Sequence, residues 1–519
     1  MTDFEVAIIG FGPVGAVAAC QLGQAGIHTL VIDSTDTIYD KPRAVALDHE
    51  IARILQGLGL AQALADCAEP FTDSVYFGTD GRAIKRLTML PEPHPQAWIP
   101  SMVFLQPKLE AAVRARAGTL PSVTIALRNT LTALAQDAEA VTLDIATPEG
   151  PQKVSARYVI ACDGASSSTR RMLDLRLEDL GFDEPWLVID VLLNAAGLKN
   201  VPVTSVQYCE PFRPCTYVIC TGNHRRWEIS LRPGEDPREM ETPEKVWQLL
   251  SRWITPQDGT LWRSAAYRFH ALVAESWRKK RVFIAGDAAH QQPPFLGQGL
   301  CQGLRDVANL SWKLIRCLRG HSGDSLLDTY GSERSAHVRK LTGIIKHIGG
   351  VIGERDLEKA KQRDNRLIAQ AGGTIHPVPR QDLIPALDAG FISAKAHPAR
   401  GTLFPQPWIE TPTGRQRLDD VAGGGLRLIL GPDAGMPDNA LDRAMSGIGG
   451  TVLHIGGEAG LVECDDVVRD WMARHQTSHA LVRPDHVVFG AVPDEKSALA
   501  MVEEAQQCLW GGTITIGKQ

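Results

Sequence analysis

The stretch Glu5–Asp33 most constrains what this chain can fold into. Glu5-Val6-Ala7-Ile8-Ile9 reads as a strand and runs at once into Gly10-Phe11-Gly12-Pro13-Val14-Gly15. Helical spacing then continues through Ala19, Leu22 and Ala25 to a stop at Gly26. Leu30-Val31-Ile32 forms a second strand, ended by Asp33. A lone GxGxxG says little. Inside strand–turn–helix–strand with a closing acid, it predicts a dinucleotide site. Gly10, Gly12 and Gly15 allow a tight turn and close approach to a diphosphate, Pro13 opens the helix, and Asp33 can accept from ribose hydroxyls. The chain carries one such fingerprint, so a single dinucleotide has a dedicated domain.

A second stretch, Arg281–Leu310, is equally regular. Val282-Phe283-Ile284-Ala285 reads as a buried strand, and Gly286-Asp287 ends it where α/β proteins place their ligands. A loop through His290, Pro293, Pro294, Phe295, Leu296, Gly297, Gln298 and Gly299 follows. Leu300, Leu304, Val307 and Leu310 then fall at helical spacing. Free N–H groups at the start of that helix suit an anion, and a reduced flavin's N1–C2=O edge is such a group. Between these stretches, Tyr158–Cys162 is a strand leading into Asp163-Gly164-Ala165-Ser166-Ser167-Ser168-Thr169-Arg170. Arg170 can cover a diphosphate or pair with Asp163.

Composition excludes several classes. The 519 residues, 44% hydrophobic and 22% charged, suit a globular protein of several domains. A net charge of −6 gives no general attraction to nucleic acid or anionic membranes. No apolar run approaches the roughly 18 residues that cross a bilayer, and no signal peptide is legible. The ten cysteines have no CxxC or zinc spacing. A cytoplasmic protein without a structural metal is the expectation.

The order of GxGxxG at Gly10–Gly15, DGxxSxxR at Asp163–Arg170 and GDAAH at Gly286–His290 resembles the single-component FAD aromatic hydroxylases with the p-hydroxybenzoate hydroxylase fold. The likeness covers about residues 1–395. It implies that Arg43 and Gln106 contact FAD, Asp287 holds the ribityl chain, and Pro294 with Gly297–Leu300 borders the isoalloxazine. The run Pro293–Gly299, then Cys301, Gly303, Arg305-Asp306 and Asn309-Leu310, has Cys301 where the broader family usually has Asn. With Phe182–Val188, Gly222–Glu228 and Gly401–Gln406 it looks like the 3-(3-hydroxyphenyl)propionate hydroxylase branch.

The fold implied is α/β: a Rossmann-like FAD-binding domain (residues 1–186 and 272–395), an antiparallel-sheet substrate domain (187–271), a linker (396–413) running around the outside, and a thioredoxin-like C-terminal domain (414–519) without CxxC. The reaction implied is hydroxylation of a phenolic acid, 3-(3-hydroxyphenyl)propionate or 3-hydroxycinnamate, to a catechol. FAD is the cofactor, NADH or NADPH the transient reductant, O2 the co-substrate and a flavin C4a-hydroperoxide the oxidant. A resorcinol-type or polyketide phenol stays open as substrate, as does a non-enzymatic binding protein of the GDP-dissociation-inhibitor kind. His49 and His290 are candidates for proton relay, beside the loop's Pro294. Tyr208, Arg213, Tyr217 and Arg225 are candidates for gripping a phenol or carboxylate, with Phe295 and Leu296 as walls. The resemblance suggests a homodimer.

Overall fold

The computed structural model describes residues 2–435, 437–457 and 460–511; positions 512–519 of the range assigned to the C-terminal domain lie outside them. The apolar run Phe4–Ile9 is the centre of a parallel sheet, flanked by Thr29–Asp33 on one side and Gly150–Ala161 on the other. Val282–Ile284 joins beyond Gly150–Ala161, and Val123–Leu127 beyond Thr29–Asp33. Register decides what this sheet can do. Ile9 lies opposite Ala161 and Ile32, and Ala161 opposite Ile284. The strands therefore end level, and the loops at Gly10, Cys162 and Gly286 emerge side by side at their carboxyl ends.

The helices Pro13–Gln24 and Gly299–Leu318 pack against each other over this sheet, with Val17, Leu22, Leu304, Val307 and Leu310 in one core. Gly303 permits that approach, since a Cβ there would stand 2.7 Å from the Val14 side chain.

A nine-stranded sheet, mainly antiparallel, covers the ends of the motif loops. Its order is His290–Gln291, Gly259–Ala274, Leu177–Leu193, His224–Ser230, Cys215–Ile219, Ser205–Tyr208, Ser74–Phe77, Ala83–Thr88 and Val378–Pro379. It extends well beyond residues 187–271. Its long strand begins at Leu177, and three strands come from residues 74–88 and 378–379. A span read by local alternation misses strands that arrive from far away in sequence.

The third unit is a four-stranded sheet in the order Gly450–His454, Leu426–Leu430, His479–Val482 and Val488–Val492. The first pair is parallel and the others antiparallel, with the helices Asn439–Gly447, Val467–His475 and Glu495–Leu509, a thioredoxin-like layout. The chain expected to run around the outside does not do so. Ala399, Phe404 and Gln406 are fully buried. Arg53 holds this segment by donating to the Phe404 carbonyl at 2.6 Å, and it grips Asp419 through Nε at 2.6 Å and Nη2 at 2.9 Å. Four prolines here mark a rigid path that is buried between units. Among the described residues no helix is long and apolar enough to cross a membrane.

Candidate active site

Three glycine-bearing loops meet where the parallel strands end. At Gly10 the backbone has φ +98°, and a Cβ would stand 2.4 Å from the Cys162 carbonyl. A Cβ on Gly15 would stand 2.0 Å from the Gly10 carbonyl, whereas one on Gly12 would meet nothing within 4 Å. Gly10 and Gly15 thus close the turn, and Gly12 keeps open space above the start of the Pro13–Gln24 helix. Asp33 fastens the turn by accepting from the Phe11 N–H at 2.6 Å. Gln106 accepts from the Arg43 and Ala44 N–H groups at 3.1 and 2.7 Å, fixing the loop that leads to Ala46–Asp48.

Asp163 caps the next loop, accepting from Ser167 Oγ at 2.5 Å and from the Thr169 N–H at 3.0 Å. Arg170 does not pair with it. Its guanidinium donates to the Ala288 carbonyl at 2.9 Å and the Ala165 carbonyl at 3.0 Å, tying the DG loop to the GD loop. Asp287 is exposed between buried neighbours. Gly299 begins its helix with no atom within 4 Å of a Cβ position. Two helix N-termini with free N–H groups and open space above them fit an anionic dinucleotide. Replacing Gly15 with alanine is therefore expected to yield protein purified without flavin, read as the flavin-to-protein absorbance ratio; a full complement would contradict this assignment.

The loop Pro293–Gly299 is held from within. Gly297 donates its N–H to the Pro294 carbonyl at 2.7 Å in a turn, with φ +69°. The Gln298 side chain is spent on Asp48 at 3.1 Å and on Arg305 at 2.8 Å, which leaves only its backbone for a ligand. Arg305 completes a buried set by reaching Asp48 at 2.5 Å and Glu50 at 2.6 Å. Leu300 borders a small recess shared with Pro13 and Gln106. Phe295 packs edge-on against Trp186 with ring centroids 5.3 Å apart, and Leu296 lines a cavity beside the loop.

That cavity, about 240 Å³, lies between the loop and Ala46–Glu50. Phe71, Arg380 and Leu387 form further walls, and Leu403 with Asp485 closes it from the C-terminal side. Of the two histidines, only His49 reaches it. Burial brings the His49 imidazole down to about 4, so it is neutral at pH 7. His290 lies elsewhere: it is 1% exposed, stacked on Trp277, and bonded to Asp306 at 2.8 Å. Asp306 also accepts from the Gly286 N–H at 2.9 Å and from Arg334 at 2.9 Å. His290 is thus part of the brace beneath the GD loop and does not line the cavity.

The four residues expected to grip the substrate do not line this cavity, and Arg213 lies in the turn between two strands. Tyr208 and Tyr217 point to the far face, into the core with Trp227 and Val246. Arg213 pairs with Glu235 at 2.6 Å, and Arg225 donates to the Gly222 and His224 carbonyls. Alternation along a strand puts their neighbours on the other face. There Val218 and Cys220 meet Phe71 and Ala46, and Arg226 donates to the Pro42 and Arg43 carbonyls at 2.7 and 2.8 Å. The face toward the loops therefore carries Gln207, Thr216, Val218, Arg226 and Glu228. Tyr208, Tyr217 and Arg225 lie on the opposite face, one residue out of phase with this set.

With this geometry in place, comparison with known proteins is decisive. Residues 3–343 match the family model described as an FAD binding domain, and residues 401–507 match the HcaD C-terminal domain. The chain belongs to the FAD-dependent aromatic hydroxylases. This hydroxylase is 34% identical over 511 residues to a probable NADH-specific resorcinol 4-hydroxylase of Rhodococcus jostii, covering 96% of this chain and 94% of that protein. It is 32% identical to a 3-(3-hydroxy-phenyl)propionate/3-hydroxycinnamic acid hydroxylase of Mycolicibacterium smegmatis, covering 82% and 76%. The crystal structure of the flavin-dependent monooxygenase PieE in complex with FAD and substrate superposes with a TM-score of 0.82 at 21% identity, over 98% of this chain and 100% of that one. The hydroxylase is thus an enzyme, a monooxygenase that uses FAD, a reduced nicotinamide and O2.

Proposed function

We propose that this hydroxylase converts a meta-hydroxyphenyl acid, of the 3-(3-hydroxyphenyl)propionate or 3-hydroxycinnamate type, to the corresponding catechol in the cytoplasm. The observation that carries the reading is Arg380. Its guanidinium lines the cavity beside the Leu296–Gln298 loop and stacks 4.1 Å above Phe71. It donates to Ser74 Oγ, and no carboxylate forms a salt bridge with it among the described residues. Burial lowers its pKa, with Tyr76 and Asp73 acting only through space to raise it. A buried cation without a carboxylate partner favours an anion, and a substrate carboxylate supplies one.

In this reading Gly12 and the start of Pro13–Gln24 take the diphosphate, and Asp33 takes a ribose. Asp287 takes the ribityl chain, and the N-terminus of Gly299–Leu318 faces the pyrimidine edge. Bound FAD supplies the redox chemistry, accepting hydride from the nicotinamide and activating dioxygen. The chain's own residues orient the ring, with Leu296 and Phe71 as walls and Arg380 on the acid, and they exclude water from the reacting edge. Residues 1–186 and 272–395 hold the cofactor, 187–271 cover it, 396–413 connect and 414–519 close the cavity's far side. A homodimer is part of the proposal.

A resorcinol-type substrate is the second reading, favoured by the identity to the Rhodococcus jostii protein over nearly the whole chain. Substrate-dependent NADH oxidation across 3-(3-hydroxyphenyl)propionate, 3-hydroxycinnamate, 3-hydroxybenzoate, phenol and resorcinol separates the two. The acid reading expects the highest kcat/KM for the propionate or cinnamate, at least tenfold above resorcinol. The reverse order would transfer the assignment to a neutral phenol.

A further inference from the structure

The face of the nine-stranded sheet that looks toward the flavin loops carries a buried, unpaired carboxylate that nothing yet described employs. Glu228 is 6% exposed, on the strand His224–Ser230. Thr216 and Val188 lie directly opposite it on the two neighbouring strands. Thr216 gives its hydroxyl to Gln207 at 2.5 Å, so it is not available to the carboxylate. Arg226, two residues away on the same strand, is saturated by Asp190 at 2.7 Å and by the Pro42 and Arg43 carbonyls. Arg263, two strands over, donates to the Pro42 carbonyl at 2.6 Å and lies 3.7 Å from Asp190. His224 is likewise spent on Asp190, at 2.7 Å. Every charged neighbour on this face is committed elsewhere. Among the described residues Glu228 forms neither a salt bridge nor a side-chain hydrogen bond.

Its place in the fold is informative. To one side are Val218 and Cys220, packed with Val45, Ala46 and Phe71. To the other is Trp186, packed with Phe295 and Leu296. Glu228 therefore lies on the sheet face between the side chains packed on Ala46 and those packed on Phe295 and Leu296, and it is not among the residues that line the cavity beside Arg380. A buried carboxylate with no donor costs stability, and a ligand hydroxyl would offset that.

We propose that Glu228 is the base that accepts the substrate phenol's proton. The phenolic O–H bond breaks, the proton passes to a Glu228 carboxylate oxygen, and the electron pair stays on the phenolate oxygen, raising the ring's electron density at the carbon to be hydroxylated. No oxidant or reductant enters this step. Burial brings Glu228 up to about 7, with Asp190 raising it further and Arg226 and Arg263 opposing. A base of that strength is matched to proton transfer near neutral pH. The inference rests on a phenolic substrate but not on the acid group that Arg380 would hold.

The test uses the FAD-loaded enzyme and whichever phenol of the panel it hydroxylates best, recording NADH consumed, product and peroxide. In Glu228→Gln, phenol-stimulated NADH oxidation is expected to persist while the product yield per NADH falls at least tenfold and peroxide rises to match. Raising the pH toward the phenol's own pKa should restore yield in Glu228→Gln, because solvent then supplies phenolate. Glu228→Asp should retain part of the yield at neutral pH. In the unmodified enzyme, yield should fall as pH drops below about 7, a measurement that needs no variant. Wild-type coupling and pH profile in Glu228→Gln would overturn the role of Glu228 alone. Failure of the unmodified enzyme to hydroxylate any phenol would overturn the role together with the substrate reading.

Discussion

Replacing Glu333 with glutamine is expected to destabilise the hydroxylase by about 3–5 kcal/mol, among the largest effects available to a single side chain. Glu333 is buried in the long helix Ser325–Gly353 and holds two buried cations, Lys313 at 2.9 Å and Arg483 at 2.7 Å. It also accepts from Asn309 Nδ2 at 2.6 Å and from the Phe391 N–H at 2.7 Å. Lys313 belongs to the helix that starts at the flavin loop, and Arg483 to the segment just beyond the C-terminal sheet strand His479–Val482. One carboxylate therefore joins the cofactor side to the C-terminal unit. Glutamine would keep the shape and leave Lys313 without a carboxylate, while Arg483 would keep Asp485 at 2.6 Å.

The pH dependence follows from the same contacts. Arg483 and Lys313 outweigh burial and hold the Glu333 carboxyl down at about 2, from a usual 4.5. Its stabilising contribution is thus complete above about pH 4.5 and is lost as pH falls toward 2. Thermal unfolding of the FAD-loaded protein, followed by flavin release and by circular dichroism, measures the effect. The variant should melt several degrees lower at pH 7, and Lys313→Met added to Glu333→Gln should recover part of the loss. An unchanged melting point would contradict the buried-network account.

The second large effect concerns specificity. Arg380→Leu is expected to lower kcat/KM for a propionate-chain phenol by about 30- to 1,000-fold, equivalent to roughly 2–4 kcal/mol for a lost charged contact in a desolvated site. Leucine keeps apolar volume beside Phe71, so resorcinol turnover should change by less than about threefold. The loss should appear in KM more than in kcat, because the acid is gripped equally before and during reaction. Equal losses for both substrates would mean that Arg380 supports the wall and does not recognise the acid.

How much of this was legible in the chain differs by level. The three glycine-bearing loops could be placed because each follows an apolar strand, and strand ends in a parallel sheet are the ligand edge. Close backbone approaches at Gly10 and Gly15 leave a signature that survives in sequence, since other residues do not fit there. The motif could not reveal that Arg170 and His290 serve the loops' internal bracing. A guanidinium or imidazole next to a ligand loop reads the same whether it faces inward or outward. His290 is claimed by Asp306, about two turns into the next helix, and no local pattern announces that pairing.

The sheet was read less well for a plain physical reason. In the strands carrying Tyr208, Tyr217 and Arg225, both faces are buried, so the usual apolar–polar alternation does not say which side meets the ligand. Large aromatic residues drew attention, yet they fill the core beneath helix Pro243–Leu250. The smaller polar residues Gln207, Thr216 and Glu228 occupy the face toward the loops. Arg380 had no signal at all. It follows a two-residue strand, Val378–Pro379, that joins the sheet's edge from about 160 positions beyond its central strand, Cys215–Ile219.

The central claim is that this fold directs one oxygen atom into an acid-bearing phenol. The most direct measurement is turnover of 3-(3-hydroxyphenyl)propionate by the FAD-loaded enzyme with NADH under 18O2, with the product analysed by mass spectrometry and peroxide assayed in parallel. The expected product is a catechol carrying one labelled oxygen, formed nearly one-for-one with NADH consumed. Unlabelled product, or NADH consumption ending almost wholly in peroxide while resorcinol yields labelled product, would contradict it.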